Sequence, residues 1–496
     1  MRHLPTVQTR LNQARAQPSL VAFVSEVRSQ RDRARHLSRA ASLATLLLVL
    51  GGCASYRAQP LAERPDSARH LRSLRVDTAR IPLPRLAAQR IDLDQPLPLA
   101  AVAALAVLDN PQLRLARDRL GVAQAQAFAA GLLPDPQFST SRDFPRHSRG
   151  ATSTAYGYGL SLDLGSLLTR PAAEAAAREH VRSVNLDLLW QEWQTASQAQ
   201  LIYVRLSALQ ARRRLLLREL ALVRRSLRRS LAAVAQGNLP RGDANVQLLR
   251  LQSLRHRLET DERSRVGLQA SLHSLLGLAP SVPLHLAGLP GITPEASAQA
   301  RAALARVADI RPDLLALRAG YASQEESLRE AVLQQFPSVS VGLRRARDVS
   351  NVNTVGFGVS FRLPLFNGSR GRIAMARATR RDLRDAYQLR LDQTQADVEQ
   401  ALANLALLRR QHDALRAGLP ALRTAASAAR QALADGSYTL PQAQSQQLAL
   451  LEQRLALLDV EQRQAEQAVS LDLLTGAGLY RGGANASSSD PTPFKS

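Results

Sequence analysis

The chain has 496 residues, a formal net charge of +24 at pH 7 and aromatic side chains at only 4% of its positions. This length is sufficient for two or three ordinary domains. Lys495 is the only lysine. The arginines are dispersed at helical spacing, as on solvated helix faces, rather than gathered in one patch. With so few aromatic rings to stack on bases, nucleic acid is not expected as a partner.

The N-terminal region has the composition of a secretory signal. Residues 28–39 contain five arginines, and the short apolar run Leu43–Leu50 and the pair Gly51-Gly52 follow. A basic segment, an apolar segment of about ten residues and small residues in this order are typical of a cleaved signal, and the apolar segment is too short to span a membrane. Residues 1–52 are therefore predicted to be a signal segment with a doubtful N-terminal extension.

Cys53 is the single cysteine, so the chain has no internal disulfide. The sequence Leu50-Gly51-Gly52-Cys53 resembles the bacterial lipobox, in which the cysteine is diacylated and becomes the mature N-terminus. Cys53 is accordingly predicted to be a lipidation site, and the alternative is a buried core thiol. Ala54 follows the cysteine, whereas an Asp there commonly retains lipoproteins at the inner membrane, so the outer membrane is expected. Residues 53–100, rich in Pro, Arg and Asp, are predicted to be an irregular lipidated leader.

The remainder of the chain contains one pattern twice. Asn110-Pro111-Gln112-Leu113 returns as Arg311-Pro312-Asp313-Leu314, at an offset of 201 residues. Other landmarks return at an offset of 199 residues: Gly157–Leu162 as Gly356–Phe361, Gly237 as Gly436, and Leu275-Leu276-Gly277 as Leu474-Thr475-Gly476. A period this long indicates a duplicated domain. We predict two pseudo-symmetric repeats, residues 101–278 and 307–478, with a linker at 279–306 and a disordered tail at 479–496.

Each repeat begins with a helix near Asn110 or Arg311, with Asn or Asp available as the N-cap. Strands are predicted near 137–144, 155–164, 338–345 and 353–363. In the last of these, Val355, Phe357, Val359 and Phe361 alternate with Gly, Ser and Arg, which predicts one apolar and one polar face. Closed single-chain membrane barrels start at about eight strands, so a barrel built from four strands per chain would have to be shared between subunits.

Very long helices follow each strand pair. Residues 172–236 contain neither Gly nor Pro, and a helix of this length spans roughly 100 Å. Return helices are predicted over about 243–276 and up to 474, and the second long helix over about 372–435. In the second repeat, Val398, Leu402, Leu405, Leu408, His412, Leu415, Leu419 and Leu422 form a coiled-coil seam, which Leu448, Leu451, Leu455 and Leu458 continue on the return helix. Pro420 is predicted to kink or break its helix. Hairpins this long must pack side by side in a bundle, filament or tube.

The sequence contains no motif that indicates catalysis. A glycine-rich phosphate loop, HExxH and GxSxG are all absent, and the nine histidines lack metal-ligand spacing. No enzymatic activity, cofactor or metal site is therefore predicted. His412, at a seam position, is predicted to be packed or tunnel-facing rather than a ligand.

Taken together, these residues resemble the TolC-type outer-membrane efflux protein family, and the lipobox resembles its lipoprotein branch. The resemblance rests on Asn110–Leu113, the paired strands, Leu363–Gly368 before a long helix, and the glycine turn at each hairpin tip. It implies a homotrimer in the outer membrane of a Gram-negative bacterium, with a twelve-stranded β-barrel and an α-helical periplasmic tunnel. The implied function is passive conduction of drugs or heavy-metal ions from an inner-membrane pump, of the resistance-nodulation-division type, through a periplasmic adaptor.

The same resemblance implies that the adaptor docks at the hairpin tips, made of Gly237, Asn238, Leu239, Pro240, Gly436, Ser437, Tyr438, Thr439 and Leu440. In the family, acidic residues near the second tip often ring a closed aperture, and this chain has Gln442 and Ser445 there. In the first hairpin, three copies of Asp243 could form a cation-attracting ring. The favoured alternative is that Asp243 caps its helix.

Two other functions remain open at this stage. One is the exit duct of a type I protein-secretion system, which shares this architecture. The other is a coiled-coil structural lipoprotein without transport activity, although that function leaves the alternating strands unexplained. Within efflux, the stretch Leu132–Pro136 looks like metal-exporting members of the family.

Overall fold

The computed structural model describes residues 56–146, 152–291 and 296–476. The chain divides into two units, Met1–Asp66 and Ser67–Ser496. The described part of the first unit, residues 56–66, is exposed and forms no helix or strand. The predicted signal segment, Cys53 and the predicted tail at 479–496 lie outside the described residues.

The second unit is mainly helical, with one small antiparallel sheet. Short 3₁₀ turns occur at Leu71–Ser73 and Thr78–Arg80. The helices and strands in chain order are α1 (Pro84–Ala87), α2 (Leu99–Asp109), α3 (Pro111–Ala130), β1 (Gln137–Asp143), β2 (Ala155–Asp163), α4 (Gly165–Ala235), α5 (Arg241–Leu275), α6 (Ala296–Leu304), α7 (Val307–Ile310), α8 (Pro312–Leu333), β3 (Ser338–Arg347), β4 (Asn353–Arg362), α9 (Arg370–Ala434) and α10 (Leu440–Thr475). The order helix, strand, strand, long helix, return helix thus occurs twice, from α3 to α5 and from α8 to α10.

The two helices that open these segments begin differently. The Asn110 Oδ1 accepts hydrogen bonds from the backbone N–H groups of Gln112 (2.8 Å) and Leu113 (3.1 Å), so the predicted Asn cap of α3 is confirmed. The expected Asp cap of the second copy is wrong. Arg311 occupies the N-cap position of α8 without a side-chain capping bond, and Asp313 lies within the first turn.

The four strands form one sheet in the order β1-β2-β3-β4. All four predicted strands are confirmed, with ends that differ from the prediction by at most two residues. Leu160 of β2 lies opposite Leu343 of β3, which in turn lies opposite Phe357 of β4. The central pairing of β2 with β3 therefore joins the first half of the chain to the second.

The long helices α4 and α9 contain 71 and 65 residues. Helix α4 begins at Gly165, before Pro171 rather than after it as predicted. The side chain of Arg170 ties this early segment to the end of α3, since its Nε and Nη2 donate to the Gly131 carbonyl at 3.0 and 2.6 Å. The predicted break at Pro420 is wrong, because α9 continues through it. Pro420 leaves the Arg416 carbonyl without its intrahelical donor. At the neighbouring Leu415, the carbonyl accepts a hydrogen bond from Gln453 Nε2 of α10 at 2.9 Å, which ties the two helices together close to the proline.

The core runs along the helices as several clusters. One cluster joins the leader, α2, α4 and α5 around Leu105, Tyr203 and Leu272. A second surrounds Trp190 and Trp193. The described part of the predicted irregular leader has only short helical turns, yet five of its apolar side chains are buried in these two clusters: Leu74, Ile81, Leu83, Leu86 and Leu97.

The predicted seam on α9 is confirmed as its inward side, since Val398, Leu405 and Leu419 are buried and the other seam positions are half-buried. Its continuation on α10 has a different partner from the one predicted. Leu448 and Leu451 pack with leucines of α4 and α5 rather than with those of α9. The reason is that α10 lies against α4 as well as α9, so its apolar residues divide between two neighbours.

Within the described residues, no single helix has the length and apolar character needed to cross a membrane. Helices α2 and α3 pass this test only as a pair, bent by 46° at their junction.

Candidate functional site

The four-stranded sheet presents two chemically different faces. Residues that lie opposite one another across the strands form an apolar face, which contains Phe138, Tyr158, Leu160, Leu162, Val339, Val341, Leu343, Val355, Phe357, Val359 and Phe361. These side chains are not covered by other elements of the chain. Val355 is 81% exposed, Phe357 70% and Leu343 61%. Because a monomeric water-soluble protein rarely exposes a contiguous apolar patch of this kind, the face indicates an interaction with lipid or another chain.

The opposite face of the sheet is built from small and polar residues. It contains Ser139, Ser141, Gly157, Gly159, Ser161, Ser340, Gly342, Gly356, Gly358 and Ser360. A Cβ added to Gly157 would lie 2.8 Å from the Ser141 Oγ, and one added to Gly159 would lie 2.5 Å from the Ser139 Oγ. The absence of side chains at the two glycines therefore leaves room for the Ser139 and Ser141 hydroxyls of β1.

Both edges of the sheet are open within the part of the chain that the structure describes. Strand β1 pairs only with β2, and strand β4 pairs only with β3. All ten residues of β4 are exposed. An open edge carries unpaired N–H and C=O groups that favour pairing with another strand. Strands β1 and β4 are therefore the two edges available for pairing with a further strand.

The hairpin tips lie at the other ends of the long helices. Gly237 and Gly436 follow α4 and α9 with φ of +74° and +72°. At the first tip, Gly237 N–H donates to the Val234 carbonyl and Asn238 N–H to the Ala233 carbonyl, at 3.0 and 2.8 Å. The second tip has the same arrangement, in which Gly436 N–H donates to the Leu433 carbonyl and Ser437 N–H to the Ala432 carbonyl. Each is a Schellman motif, which requires the left-handed conformation that glycine adopts readily.

The predicted docking residues are divided between exposed and half-buried positions. Leu239 and Leu440 are half-buried, whereas the other seven tip residues are exposed. Tyr438 is the largest of these and is 43% exposed. A docking partner would therefore meet Tyr438 before either leucine.

The predicted aperture residues lie at the starts of the return helices. Gln442 Oε1 accepts hydrogen bonds from the N–H and the hydroxyl of Thr439, at 2.8 and 2.9 Å, and forms the capping box of α10. The Ser445 hydroxyl donates to the Gln442 carbonyl at 2.8 Å. The N-cap interpretation of Asp243 is wrong, because α5 begins at Arg241 with Pro240 as its N-cap and Asp243 lies in the first turn.

A buried charged network was missed by the sequence analysis. Arg311, 3% exposed, forms a bidentate pair with Asp313 at 2.8 and 2.6 Å. Its guanidinium also donates to Thr394 Oγ1 and lies 4.8 Å from the centre of the Trp190 ring. The only sequence signal was a charged pair in the first turn of a helix, which is usually solvent-exposed. The network joins α8 to α4, α9 and the end of α10, and so fixes the helices that carry the tips.

A second ion pair lies beside it. Glu192 of α4 accepts a hydrogen bond from Arg117 of α3 at 2.7 Å. Burial raises the pKa of the Glu192 carboxyl above its ordinary value, and the contact with Arg117 only partly opposes this effect. This pair therefore joins α3 to α4 through a buried carboxylate that is costly to separate from its partner.

His412 is half-buried, with its Nδ1 3.0 Å from the neighbouring Asp413 carboxylate and its Nε2 4.0 Å from Glu461. Within the described ranges, no group of three or more His, Cys, Asp or Glu residues is placed to hold a metal ion.

The fold, with long helical hairpins attached to a small sheet, is shared with three solved structures. A membrane protein from Pseudomonas aeruginosa is similar with a TM-score of 0.67 and 19% identity, over 87% of this chain and 98% of that one. The outer-membrane channel OprN has a TM-score of 0.65 and 18% identity, over 85% and 99%. The open state of the Neisseria gonorrhoeae MtrE outer membrane channel has a TM-score of 0.61 and 18% identity, over 86% and 99%. No protein of curated function matches the sequence.

The sequence itself carries the family signature in its second half. Residues 297–477 match the family described as outer membrane efflux protein. This match bears out the resemblance to outer-membrane efflux proteins that the sequence predicts, and the solved structures extend the shared fold along most of the chain.

Proposed function

We propose that this protein is the outer-membrane channel of a tripartite efflux system and works as a homotrimer. The observation that carries the proposal is the exposed apolar face of a sheet whose two edge strands are open. Lipid would cover the apolar face, and strands from neighbouring copies would pair with the edges. Both features are explained by one assembly.

Four strands from each of three chains give a twelve-stranded barrel, in which β4 of one chain pairs with β1 of the next. The apolar face would point outward to the acyl chains and the glycine and serine face inward to water, as in other membrane barrels. The internal duplication fits this arrangement, because each half of the chain would supply two strands and one helical hairpin to a ring of repeated units.

The long helices would continue the barrel as a periplasmic tunnel. At 1.5 Å per residue, α4 alone spans roughly 100 Å, so the tips lie far from the barrel. We propose that a periplasmic adaptor docks at the tips, that an inner-membrane pump supplies the energy, and that substrate passes through the channel without chemistry. The substrates are drugs or heavy-metal ions, chosen by the pump rather than by the channel.

A lipid anchor at Cys53 would add a second attachment to the outer membrane. The support is the basic segment, apolar segment and lipobox that precede it. Mass spectrometry of the mature protein should find Cys53 diacylated at the N-terminus, and the Cys53→Ser variant should be left unprocessed. An unmodified Cys53 in the mature protein would contradict this part of the proposal.

The barrel is tested by cross-linking between edge strands. Cys53 is retained, because an acylated cysteine has no free thiol, and Ser141→Cys on β1 is combined in turn with Gly356→Cys, Gly358→Cys or Ser360→Cys on β4. Oxidation of outer-membrane fractions should link one of these combinations into covalent dimers and trimers on denaturing gels.

The matched control places the β1 cysteine instead at Ser161 of the internal strand β2, which has no free edge. It should give no intermolecular product. If the purified protein is a monodisperse monomer in detergent, with its full strand content and no cross-link, the channel proposal is wrong.

A further inference from the structure

A row of arginines crosses the apolar face of the sheet. It lies at the end where β3 turns into β4, opposite the end that joins the long helices. Tyr156 of β2 lies between Arg142 of β1 and Arg347 of β3, and Tyr158 lies opposite Arg345. We call Arg142, Arg345 and Arg347 the arginine row. They share the face of Leu343 and Phe357, so in the proposed barrel they point toward lipid and not into the channel.

The arginine row is not neutralised by carboxylates of the described residues. Arg142 and Arg347 instead lie 5.2 and 5.8 Å from the ring centres of Phe144 and Tyr156. The neighbouring Asp348 uses its carboxylate to accept the N–H groups of the turn that follows it. The Nε of Arg347 is buried without a hydrogen-bond partner. Two of the three guanidinium groups, those of Arg142 and Arg347, thus lie over aromatic rings and keep N–H donors free of carboxylates.

The row also has a defined depth. Arg347 and Val341 are six residues apart on one strand, which is about 20 Å at 3.4 Å per residue. Beside Val341 lies the apolar row of Phe138, Leu160, Leu343 and Phe357, and the row that contains Arg345 comes next, one step before Arg347. An arginine and tyrosine band at that distance falls where acyl chains give way to headgroups in a membrane barrel. At the other end of this face, beside the helices, the described positions are apolar, among them Val339, Phe361 and Leu363.

We propose that the arginine row binds the phosphate groups of an anionic lipid in the outer leaflet, of the bisphosphorylated glycolipid type. The inference rests on the proposed function, because periplasmic helices place the opposite end of the strands at the outer surface. The guanidinium fork matches phosphate oxygens in a bidentate way, and the tyrosines offer hydroxyl donors beside it. In a trimer the row repeats around the barrel, so phosphorylated lipid would hold the barrel at its outer rim.

The test measures binding of bisphosphorylated lipid A to purified trimers in a neutral detergent, by native mass spectrometry and by fluorescence titration. Removing one arginine from an anionic surface costs roughly fivefold in affinity, so the triple variant Arg142→Gln, Arg345→Gln, Arg347→Gln should bind about a hundredfold more weakly. The matched control is Arg344→Gln with Arg362→Gln, which removes two arginines of the same sheet from the opposite face. It should bind like the unaltered protein.

Two further measurements distinguish binding of a phosphorylated lipid from binding of the lipid part alone or of free phosphate. Dephosphorylated lipid A should bind the unaltered trimer as weakly as the triple variant binds the intact lipid, and millimolar inorganic phosphate should not displace the bound lipid. Equal affinity of the triple variant and the unaltered protein, or displacement by free phosphate, would overturn the inference. If the triple variant fails to form trimers, Arg345→Lys with Arg347→Lys decides the question: it keeps the charge but loses the fork, and it must bind measurably more weakly. Failure of the inference leaves the trimer and its strand cross-links intact, whereas failure of the proposed function abolishes both.

Discussion

The side-chain amide of Asn110 donates a hydrogen bond to the carbonyl oxygen of Leu275 at 3.1 Å. In the second half of the chain, Arg311 donates to the carbonyl oxygen of Leu474 at the same distance. Each bond fastens the start of a short helix to the end of a return helix, and the two bonds occupy corresponding places in the duplicated pattern. Two different side chains, an amide and a guanidinium, therefore make the equivalent hydrogen bond. In each half of the chain this bond joins the first helix to the end of the return helix.

Removing Asn110 should destabilise the first half. Asn110→Ala loses the cap on Gln112 and Leu113 and leaves the Leu275 carbonyl without this donor, which predicts a loss of about 1–3 kcal/mol. Asn110→Asp should not recover this loss, because it keeps the cap but places a carboxylate against the Leu275 carbonyl in a buried site. Unfolding in guanidinium, followed by helical circular dichroism, measures both variants. The exposed Asn238→Ala is the control and should stay within about 0.5 kcal/mol of the unaltered protein.

Breaking the buried pair should be more damaging than breaking an exposed one. Arg311→Met removes the bidentate partner of the buried Asp313, leaves it only the 3.5 Å contact with the half-exposed Arg390, and should cost about 3–5 kcal/mol. A double variant, Arg311→Met with Asp313→Leu, should regain most of that loss because the buried carboxylate is gone. Arg318→Ala, at an exposed pair with Asp309, should cost about 0–1 kcal/mol. Equal effects of Arg311→Met and Arg318→Ala on the same denaturation midpoint would contradict the assigned role of burial.

The raised pKa of Glu192 predicts a pH dependence of stability. The folded state binds this proton more tightly than the unfolded state, so its contribution to stability is largest below the ordinary value of 4.5. It decreases as pH rises from there through the raised pKa of the folded state. In the Glu192→Gln variant, the melting temperature of the trimer should therefore decrease less over this pH range than in the unaltered protein.

The opposite sign is expected at Glu262. The hydrogen bond from Arg265 lowers the pKa of its carboxyl, so its contribution is lost as pH falls below the ordinary value. Glu262→Gln should reduce the loss of stability on acidification, and only slightly, because the pair is exposed and screened by salt. If Glu192→Gln and Glu262→Gln altered the pH dependence of stability in the same direction, the assignment of the two pKa shifts would be wrong.

Docking at the tips predicts a separation of transport from assembly. Tyr438→Glu should abolish export while leaving the trimer level in outer-membrane fractions unchanged, because the side chain is exposed and no core depends on it. Leu239→Glu and Leu440→Glu should also stop export, with a small loss of trimer since these side chains are half-buried. Export is measured as resistance in cells that carry the matching pump and adaptor. Full resistance with charges at all three positions would mean that the adaptor docks elsewhere.

The tip glycines predict a folding defect as well. Neither Gly237 nor Gly436 has another atom within 4 Å of an added Cβ, so any cost of substitution comes from the positive φ alone. Gly237→Asn should be tolerated, whereas Gly237→Val should lower both trimer yield and export, because a β-branched residue resists the left-handed conformation. Equal yields of the Asn and Val variants would show that the turn adapts to its residue.

The amino-acid sequence by itself determined the strands, the hairpin turns and most helix ends. The alternation from Val355 to Phe361 and the glycines at 237 and 436 are local signals, because a period of two and a positive φ depend only on neighbouring residues. Tertiary structure decided what these elements meet. It placed Leu160 beside Leu343, joining the two halves in one sheet, and it buried Arg311 against Thr394, 83 residues away. It also carried α9 through Pro420, where α9 packs against α10 and Gln453 of α10 donates to the nearby Leu415 carbonyl. Local patterns therefore determine where helices and strands form. Whether a buried charge or a proline within a helix is tolerated depends on contacts with residues distant in sequence, which only the tertiary structure supplies.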